Sequence, residues 1–435
     1  MSTRVVITGL GPICSIGENK DELWDSIVAG RTNVVRNRCS VDESLWEEFF
    51  VHKLDNFKSE KFIKNDGILK WIAEWKEGRR DIDFELLASV VGQAVEDSRL
   101  DLGGDRMDVG LFLVHENPGL ENLIDSVADA TYEAVSRNGH PPKAANQLEA
   151  KKMVYDKCAR IGYDTQSFMH LFFVAKLFNI HGYSLFMNNA CASGLFGLEA
   201  ASQHIKSGRL NAAIVAGVDY PDYVYKYLWF KNLGMYAPDG IIRPFAKDRS
   251  GIVFGEGGAG IVLENYESAK RRGAQIYAEY AGGGFSLEAS KVTLPNVASG
   301  LYAQTIAEAL KDAGVRPEEV DLINPHGIGT GITDLHEANS ISKVLGRSKT
   351  PVTAFKPYVG HNLGSSALLE LCILLLSMKE GFIPPTLNCG EMDGQINLNL
   401  VRSGVEKTIS TAMKLSCAFA GYNAAAVFRR PGNGK

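Results

Sequence analysis

Apolar strands and amphipathic helices alternate along nearly the whole chain, and this alternation is the feature that most restricts its fold. Val5-Val6-Ile7-Thr8 begins a buried strand that enters a glycine loop, and 84–100 carries apolar residues at helical spacing. Further strands are predicted at 107–115, 211–217, 259–264, 276–281, 320–324, 352–355, 411–419 and 424–428, and further helices at 21–30, 121–136, 146–160, 167–178, 191–206, 301–313 and 361–379. This order predicts an α/β protein in which helices cover stacked layers of parallel or mixed sheet.

The pattern restarts near residue 273 and divides the chain into two parts of similar content. Each part contains a strand, a tight loop and a long buried helix that begins at a reactive residue, Cys191 in the first part and His361 in the second. We therefore expect a duplicated architecture within one compact body. The predicted halves are 1–267 and 268–435, although no repeat of fixed period is found.

Composition and charge argue against several functional classes. The formal net charge of −5 argues against a nucleic-acid-binding surface. Met1–Gly9 runs directly into a strand, unlike a signal peptide, and the longest apolar run, 368–378, is interrupted by Glu370 and too short to span a bilayer. The seven cysteines lack the paired spacing of zinc sites and fit a reducing compartment. We expect a cytoplasmic protein with no metal, membrane or nucleic-acid partner.

The segment Asn189-Ala190-Cys191-Ala192-Ser193-Gly194 places a cysteine between a strand and the first turn of a helix. Free N–H groups and the positive end of the helix dipole would face the sulfur of Cys191 and favour its thiolate. The dipole contributes roughly 0.3–1 kcal/mol, less than the about 1.4 kcal/mol that corresponds to one pKa unit. Full activation therefore needs a further partner, such as a histidine. On this segment alone, a buried structural cysteine is the alternative.

Two histidines occupy similar positions further along the chain. Asn324-Pro325-His326-Gly327 ends a strand in a glycine-rich turn, and a second strand is followed by Lys356 and then by His361, which is predicted to open an apolar helix. Both are strand-to-helix junctions, where open α/β sheets bind ligands. One histidine in such a place is commonly structural. Two of them, together with Lys356 and the upstream cysteine, indicate an active site.

Taken together, these segments resemble the β-ketoacyl-carrier-protein synthases of the elongating type, within the thiolase-fold superfamily. The resemblance extends over nearly the whole chain and includes the opening strand at 5–11, the 243–260 stretch and the closing loop at 418–424. Asp334 and Glu337, which follow the first histidine, also match. The resemblance implies an α/β protein with a thiolase-like five-layer α-β-α-β-α fold and two similar halves.

The resemblance also implies a role for each matching residue. Cys191 would accept the acyl group from a carrier-protein thioester, and its backbone N–H would form an oxyanion hole with that of Phe419, which matches the family's gate residue. His326 and His361 would stabilise the enolate released when a malonyl thioester loses carbon dioxide. Lys356 would orient this site and tune its charge. The supporting residues are Glu337, Asp334, Thr330 and Asn423.

Function and partners follow from the same resemblance. It implies a β-ketoacyl synthase, an acyltransferase that condenses an acyl-enzyme thioester with malonyl-acyl carrier protein in a decarboxylative Claisen reaction. Substrates would arrive on the phosphopantetheine arm of acyl carrier protein, and no further cofactor is expected. The protein would form a homodimer, or a heterodimer with a related ketosynthase or chain-length factor.

The chain departs from the family pattern at several positions. Ile328 replaces a threonine that contacts the pantetheine arm, which leaves Thr330 to hold the arm. Ala418 and Ala420 replace glycines of the gate loop and should stiffen it, because alanine permits fewer backbone angles. The segment from 115 to 191 is longer than usual and carries extra helical sequence. These changes favour a specialised polyketide or polyene synthase over a housekeeping fatty-acid enzyme.

Two other functions remain open at this stage. A thiolase-like acyltransferase without decarboxylation would use Cys417 as a second catalytic cysteine, although a small apolar role for Cys417 is the simpler interpretation. A non-catalytic chain-length-setting partner would lack the reactive cysteine, whereas Cys191 is present in full context. Gly282-Gly283-Gly284 lacks the context of a dinucleotide-binding loop and is predicted to be a bend at a sheet end.

Overall fold

The computed structural model describes residues 3–41, 44–63, 65–76, 78, 81–116, 120–136, 151–152, 154–156, 158–159, 162, 166–220, 224–346 and 350–432. Of the predicted helix at 146–160, residues 151–152, 154–156 and 158–159 are described and are helical, and the others lie outside the described residues. The strands are β1 (Val5–Cys14), β2 (Val34–Val41), β3 (Ser44–His52), β4 (Val109–Val114), β5 (Ser184–Met187), β6 (Ala212–Asp219), β7 (Phe254–Gly255), β8 (Gly257–Asn265), β9 (Ala278–Leu287), β10 (Leu322–Asn324), β11 (Pro351–Val352), β12 (Phe382–Ile383), β13 (Asn399–Leu400), β14 (Val405–Glu406), β15 (Thr411–Cys417) and β16 (Tyr422–Arg429). The α-helices are α1 (Lys20–Val28), α2 (Asp66–Trp75), α3 (Ile82–Ser98), α4 (Leu120–Ser136), α5 (Ser167–Phe178), α6 (Ser193–Lys206), α7 (Val224–Asn232), α8 (Tyr266–Arg271), α9 (Leu301–Ala313), α10 (Gly331–Leu345), α11 (Lys356–Val359) and α12 (Ser366–Glu380).

Eleven of these strands form one mixed sheet, in which the same strand order occurs twice. Its order is β13-β11-β10-β15-β16-β9-β1-β8-β6-β4-β5 across the described part of the chain. Counted outward from the centre, the first half runs β1-β8-β6-β4-β5 and the second runs β9-β16-β15-β10-β11. Each strand of the first half thus has a counterpart in the second half at the same place in both chain order and sheet order. The two half-sheets meet where β1 and β9 pair antiparallel, with Val5 opposite Tyr280 and Ile7 opposite Ala278.

Helices cover both half-sheets and also lie between them. Helices α3 and α5 pack with the outer face of the first half-sheet, and α9 packs with β9 and β16 of the second. Helices α6 and α12 pack together between the half-sheets, and α12 is buried from Ser366 to Met378. The five-layer α-β-α-β-α fold implied by the resemblance is therefore confirmed, while the division at 267 and 268 stays a prediction. No helix within the described ranges is long and apolar enough to cross a membrane.

Glycines on β1 and β9 let a helix approach each half-sheet very closely. A Cβ atom on Gly11 would lie 2.3 Å from the carbonyl oxygen of Val90 in α3. In the second half, a Cβ atom on Gly284 would lie 2.1 Å from the carbonyl oxygen of Thr305 in α9. The prediction that Gly282-Gly283-Gly284 forms a bend is wrong, because these residues lie within β9 beneath α9. Gly282 and Gly284 are needed for helix packing and not for a turn.

We expect Gly11→Ala to lower the free energy of unfolding by roughly 1–3 kcal/mol, the usual cost of overpacking a core. The added methyl group would force α3 away from β1. Gly394→Ala is the matched control, because a Cβ atom there meets no other atom within 4 Å. Urea denaturation of the two variants and the wild type measures the effect. Equal stabilities for both variants would show that the close approach is not required.

Candidate active site

Cys191 lies on a tight turn between β5 and α6. It precedes the helix by two residues and is 6% exposed. Ala190 has a positive φ of 50°, a conformation that costs about 1–3 kcal/mol for a residue other than glycine. The hydroxyl of Ser193 holds the turn, since it accepts from the Asn189 N–H at 2.7 Å and donates to the Ala190 carbonyl oxygen at 2.6 Å. The turn therefore fixes the sulfur at the start of α6.

His326 lies on a turn after β10 that is held by a buried carboxylate. Glu337 of α10 accepts hydrogen bonds from the backbone N–H groups of His326 at 2.7 Å and Gly327 at 2.8 Å. The hydroxyl of Tyr302 also donates to Glu337, at 2.8 Å. Burial raises the pKa of Glu337, and the two backbone N–H groups oppose this rise. The predicted supporting residue thus positions the histidine through its backbone.

Asp334 holds the next residues of the same turn. It accepts from the N–H groups of Ile328 and Gly329, both at 3.1 Å, and from the N–H of Phe245 at 2.8 Å. Burial raises the pKa of Asp334 to about 7. Asp334 therefore ties the histidine turn to the 243–260 stretch, one of the segments that carries the family resemblance.

His361 follows β11, in the same half of the sheet as His326, and it faces the same site. It precedes α12 by five residues, so the prediction that it opens this helix is wrong in detail; a short 3₁₀ turn, Leu363–Ser365, lies between them. Its Nδ1 is hydrogen-bonded with the hydroxyl of Ser366 at 2.8 Å, and its backbone N–H donates to the carbonyl oxygen of Val253 at 2.8 Å. The His326 and His361 rings lie 5.5 Å apart between centroids, with their planes at 82°.

Lys356 sets the proton position on His326. Its ammonium donates to the His326 carbonyl oxygen at 2.7 Å, lies 3.5 Å from His326 Nδ1 and also donates to Glu370. An ammonium has only donors, so Nδ1 must be the acceptor and Nε2 must carry the ring proton. Burial holds the pKa values of both His326 and His361 well below the usual 6.5, and the positive charge of Lys356 adds to this effect. At neutral pH the two rings are therefore uncharged.

The electrostatics around the sulfur differ from the expectation for a helix N-terminus. Burial raises the pKa of the Cys191 thiol well above its usual value, the carboxylates of Glu116 and Asp219 raise it further, and Lys356 opposes them. The prediction that the unliganded site favours the thiolate is wrong, because the small dipole contribution is outweighed by burial and by two carboxylates. The resting site thus contains a protonated thiol and two neutral imidazoles.

Glu116 is the functional candidate that the sequence interpretation missed. Its carboxylate lies 4.0 Å from the Cys191 sulfur and 3.7 Å from the ammonium of Lys226, which is also 4.0 Å from Asp219. Glu116 is the second residue after β4, and His326 is the second residue after β10, the counterpart of β4. The duplicated strand order was the signal that could have identified this position.

Four of the predicted residues meet in one narrow cavity of about 20 Å³. Cys191, both histidines and Phe419 line it together with Cys417. The remaining lining residues are Phe230, Met235, Ile252, Thr293, Pro295, Ile328, Thr333 and Ala418. Thr330, expected to hold the pantetheine arm, is not among them. Its buried hydroxyl has no hydrogen-bond partner among the described residues. Thr293 and Thr333 are the hydroxyl groups that line the cavity.

The loop after β15 carries Phe419 and closes one side of the cavity. The Phe419 ring stacks on Phe230, with centroids 5.3 Å apart, and meets Trp229 edge-on at 5.6 Å. Ala420 has a φ of 59° and donates its N–H to the carbonyl oxygen of Val292 at 2.6 Å. Alanine is strained in this left-handed conformation, whereas glycine is not. The loop is thus held in place by ring contacts and by a backbone bond.

Asn423 supports this loop from behind the cavity. Its side-chain amide donates to Glu288 at 3.2 Å and to the Ser286 hydroxyl at 3.4 Å. Glu288 also accepts from the backbone N–H of Asn296 at 2.6 Å. Asn423 therefore joins β16, β9 and the segment that supplies the cavity residues Thr293 and Pro295.

We expect Glu116→Gln to increase the alkylation rate of Cys191 by iodoacetamide several-fold at pH 8. Loss of the neighbouring negative charge lowers the pKa of the thiol and moves the rate–pH curve to lower pH. Peptide mass spectrometry separates labelling at Cys191 from labelling at Cys417. Glu308→Gln, a change on the exposed face of α9, is the control. An unchanged rate–pH curve in Glu116→Gln would contradict this account of the thiol.

Two protein-family models match most of the chain. "Beta-ketoacyl synthase, N-terminal domain" matches residues 2–269, and "Beta-ketoacyl synthase, C-terminal domain" matches residues 277–390. Among curated relatives, 3-oxoacyl-[acyl-carrier-protein] synthase 2 of Vibrio cholerae serotype O1 is 27% identical over 440 residues, covering 98% of this chain and 99% of that protein. Nodulation protein E of Rhizobium sp. strain N33 is 28% identical over 437 residues, covering 99% of this chain and 100% of that protein.

Solved structures of ketosynthases are also similar to this chain. The ishigamide ketosynthase/chain length factor matches with a TM-score of 0.83 and 28% identity over 99% of this chain and 100% of that chain. A structure described as a type II PKS acyl-carrier protein in complex with its ketosynthase matches with a TM-score of 0.81 and 25% identity, again over 99% of this chain and 100% of that chain. The similarity thus extends over almost the full length of both the sequence and the fold.

Proposed function

The chain belongs to the β-ketoacyl synthase family, and we propose that it condenses an acyl group on Cys191 with malonyl-acyl carrier protein in a decarboxylative Claisen reaction. The observation that carries this proposal is the cavity in which Cys191 meets two neutral histidines. A neutral imidazole donates one N–H toward a developing oxyanion, and the other nitrogen is occupied by Lys356 in one ring and by Ser366 in the other.

In the first step, the sulfur of Cys191 attacks the carbonyl carbon of an acyl thioester on the carrier. The new carbon–sulfur bond forms, the bond to the carrier sulfur breaks, and the thiol proton of Cys191 leaves with the carrier thiol. The backbone N–H groups of Cys191 and Phe419 are proposed to bind the oxyanion.

In the second step, the malonyl carboxylate leaves as carbon dioxide, and its bonding electrons form an enolate. Hydrogen bonds from His326 and His361 stabilise the enolate oxygen. The enolate carbon then attacks the acyl carbon, and the Cys191 thiolate leaves. Because burial and carboxylates raise the pKa of this thiol, the thiolate readily takes up a proton from water, and the resting site is restored.

Partners and pathway are part of the same proposal. We propose that acyl carrier protein delivers both substrates on its phosphopantetheine arm, with no resident cofactor, and that the chain pairs with a copy of itself or with a related chain-length factor. One similar structure is described as a ketosynthase with its acyl-carrier protein, and another as a ketosynthase/chain length factor. The similarity to the ishigamide enzyme and to nodulation protein E supports a specialised pathway. The cysteine spacing supports a cytoplasmic location.

A thiolase-like acyltransferase is the second candidate, because Cys417 lines the same cavity as Cys191. Burial raises the pKa of Cys417 well above its usual value, and Glu337 and Glu288 raise it further. The pKa of Cys191 is shifted in the same direction, so it does not separate the two cysteines; their positions do, because Cys191 lies on the turn at the start of α6, whereas Cys417 ends β15. A non-catalytic chain-length partner is disfavoured by the complete Cys191 turn.

Comparison of Cys191→Ala, His326→Ala and His361→Ala tests the proposal. Cys191→Ala should abolish condensation and retain release of carbon dioxide from malonyl carrier protein, because the thiol only carries the acyl chain. Each histidine variant should lower this release by about 10²–10³, the usual cost of one oxyanion donor. Cys417→Ala is the matched control and should keep both activities. A wild-type chain that releases no carbon dioxide, alone or with a partner chain, would contradict the proposal.

A second experiment concerns Phe419 as a gate. We expect Phe419→Ala to open the cavity next to Phe230 and disturb the order of substrate entry, so that elongation changes relative to acyl loading of Cys191. Product mass and peptide mass spectrometry measure the two rates. Phe172→Ala, on the exposed face of α5, is the control. Unchanged elongation and loading in Phe419→Ala would show that this ring is not a gate.

A further inference from the structure

A fully buried lysine on β15 lies next to the active site and has no part in the mechanism above. The ammonium of Lys414 lies 2.9 Å from Oε2 of Glu370, 3.1 Å from the carbonyl oxygen of Pro325 and 3.0 Å from that of Leu415. Its three N–H donors therefore have three acceptors. A buried charge is costly unless it is paired and hydrogen-bonded in this way.

Glu370 is shared by two lysines. One oxygen of its carboxylate accepts from Lys356 of α11, and the other accepts from Lys414. Two positive charges thus share one negative charge, which leaves a surplus positive charge beside the histidines. Glu337 of α10 also faces Lys414, but its two oxygens accept hydrogen bonds from the His326 and Gly327 N–H groups and from the Tyr302 hydroxyl, so its charge is shared with these donors. The same positive charge contributes to the low pKa values of His326 and His361.

The two lysines also fix the backbone on both sides of His326. Lys414 donates to the carbonyl oxygen of Pro325, and Lys356 donates to the carbonyl oxygen of His326. Glu337 accepts from the His326 N–H. The polar groups of the peptide bonds that flank this catalytic ring are thus held by three buried charged side chains from three different elements.

We propose that Lys414 is a positioning residue for decarboxylation, which fixes the strand end that carries His326 and supplies the surplus positive charge behind both histidines. This inference rests on the proposed function. Enolate formation is then favoured while Lys414 is protonated and becomes less favourable once it loses its proton. Burial lowers the pKa of Lys414 to about 8, so this change falls within an accessible pH range.

The test is the pH dependence of carbon dioxide release from malonyl carrier protein. We expect the wild-type rate to decline as the pH rises through about 8. Lys414→Met should be slower at pH 7 by roughly tenfold, less than the about 10²–10³ for loss of a direct oxyanion donor, and should lack this decline. Lys414→Arg keeps its proton throughout and should retain its pH 7 rate above pH 8. Lys76→Met, at a buried lysine paired with Asp81 at 2.6 Å, is the control and should keep the wild-type profile.

Stability provides a readout that does not depend on activity. The pKa of Lys414 is about 8 in the folded protein and near its ordinary 10.5 in the unfolded chain. Between these values the unfolded chain binds more protons, so the stability of the wild type relative to Lys414→Met should rise with pH. Urea denaturation from pH 7 to 10.5 measures this difference.

The outcomes separate the two proposals. If no variant releases carbon dioxide and the wild type is also inactive, the proposed function fails and the role of Lys414 in it fails as well. If the wild type is active but shares its pH profile with Lys414→Met, only the inference about Lys414 is wrong. If Lys414→Met does not fold, the wild-type profile compared with Lys414→Arg decides the question, and parallel profiles would overturn the inference.

Discussion

The close contact between α6 and α12 is the constraint on which the site depends. A Cβ atom on Gly194 of α6 would lie 2.9 Å from Cγ of Leu368 in α12, so only glycine allows this approach. The two helices are counterparts in the repeated strand order, and each follows a loop that carries a reactive side chain. Because they pack together in the central layer, Cys191 and His361 are brought to one cavity. A larger residue at 194 would separate these loops.

Burial affects the titratable groups of the site in two ways, depending on whether each group has a partner of opposite charge. Where the chain supplies paired charges, as for Lys356, Lys414 and Glu370, burial produces a rigid set of hydrogen bonds. Where it supplies single titratable groups, burial favours their neutral forms. The histidines are consequently neutral N–H donors, and in the proposed reaction the cysteine gives up its proton only during acyl transfer. This arrangement suits a reaction in which the negative charge must appear on the substrate and not on the resting protein.

Much of the fold and most of the site could be predicted from the sequence, for a physical reason. The fold could be predicted because the spacing of apolar residues within each strand and helix indicates which of its faces is buried. The site could be predicted because Cys191, His326, Lys356 and His361 lie in glycine-rich turns with short, recognisable spacing. Glu116 and Lys414 have no such local context. Their roles depend on neighbours that are distant in sequence, 75 residues away for the Glu116–Cys191 pair and 44 for Lys414 with Glu370. Glu370 gave a partial signal, because it interrupts an otherwise apolar helix, but its two lysine partners cannot be read from that helix.

The duplicated sheet also has a consequence for synthesis on the ribosome. The chain emerges from its N-terminus, and β1 pairs on one side with β8 and on the other with β9. Until β9 has emerged, the nascent first half exposes an unpaired strand edge, and until α12 has emerged the inner apolar face of its sheet is only partly covered. Translation at about 5–20 residues per second leaves these surfaces open for several seconds. Exposed edges and apolar faces promote aggregation, so the interval between the synthesis of β8 and that of α12 is when the first half of this chain is most prone to aggregate.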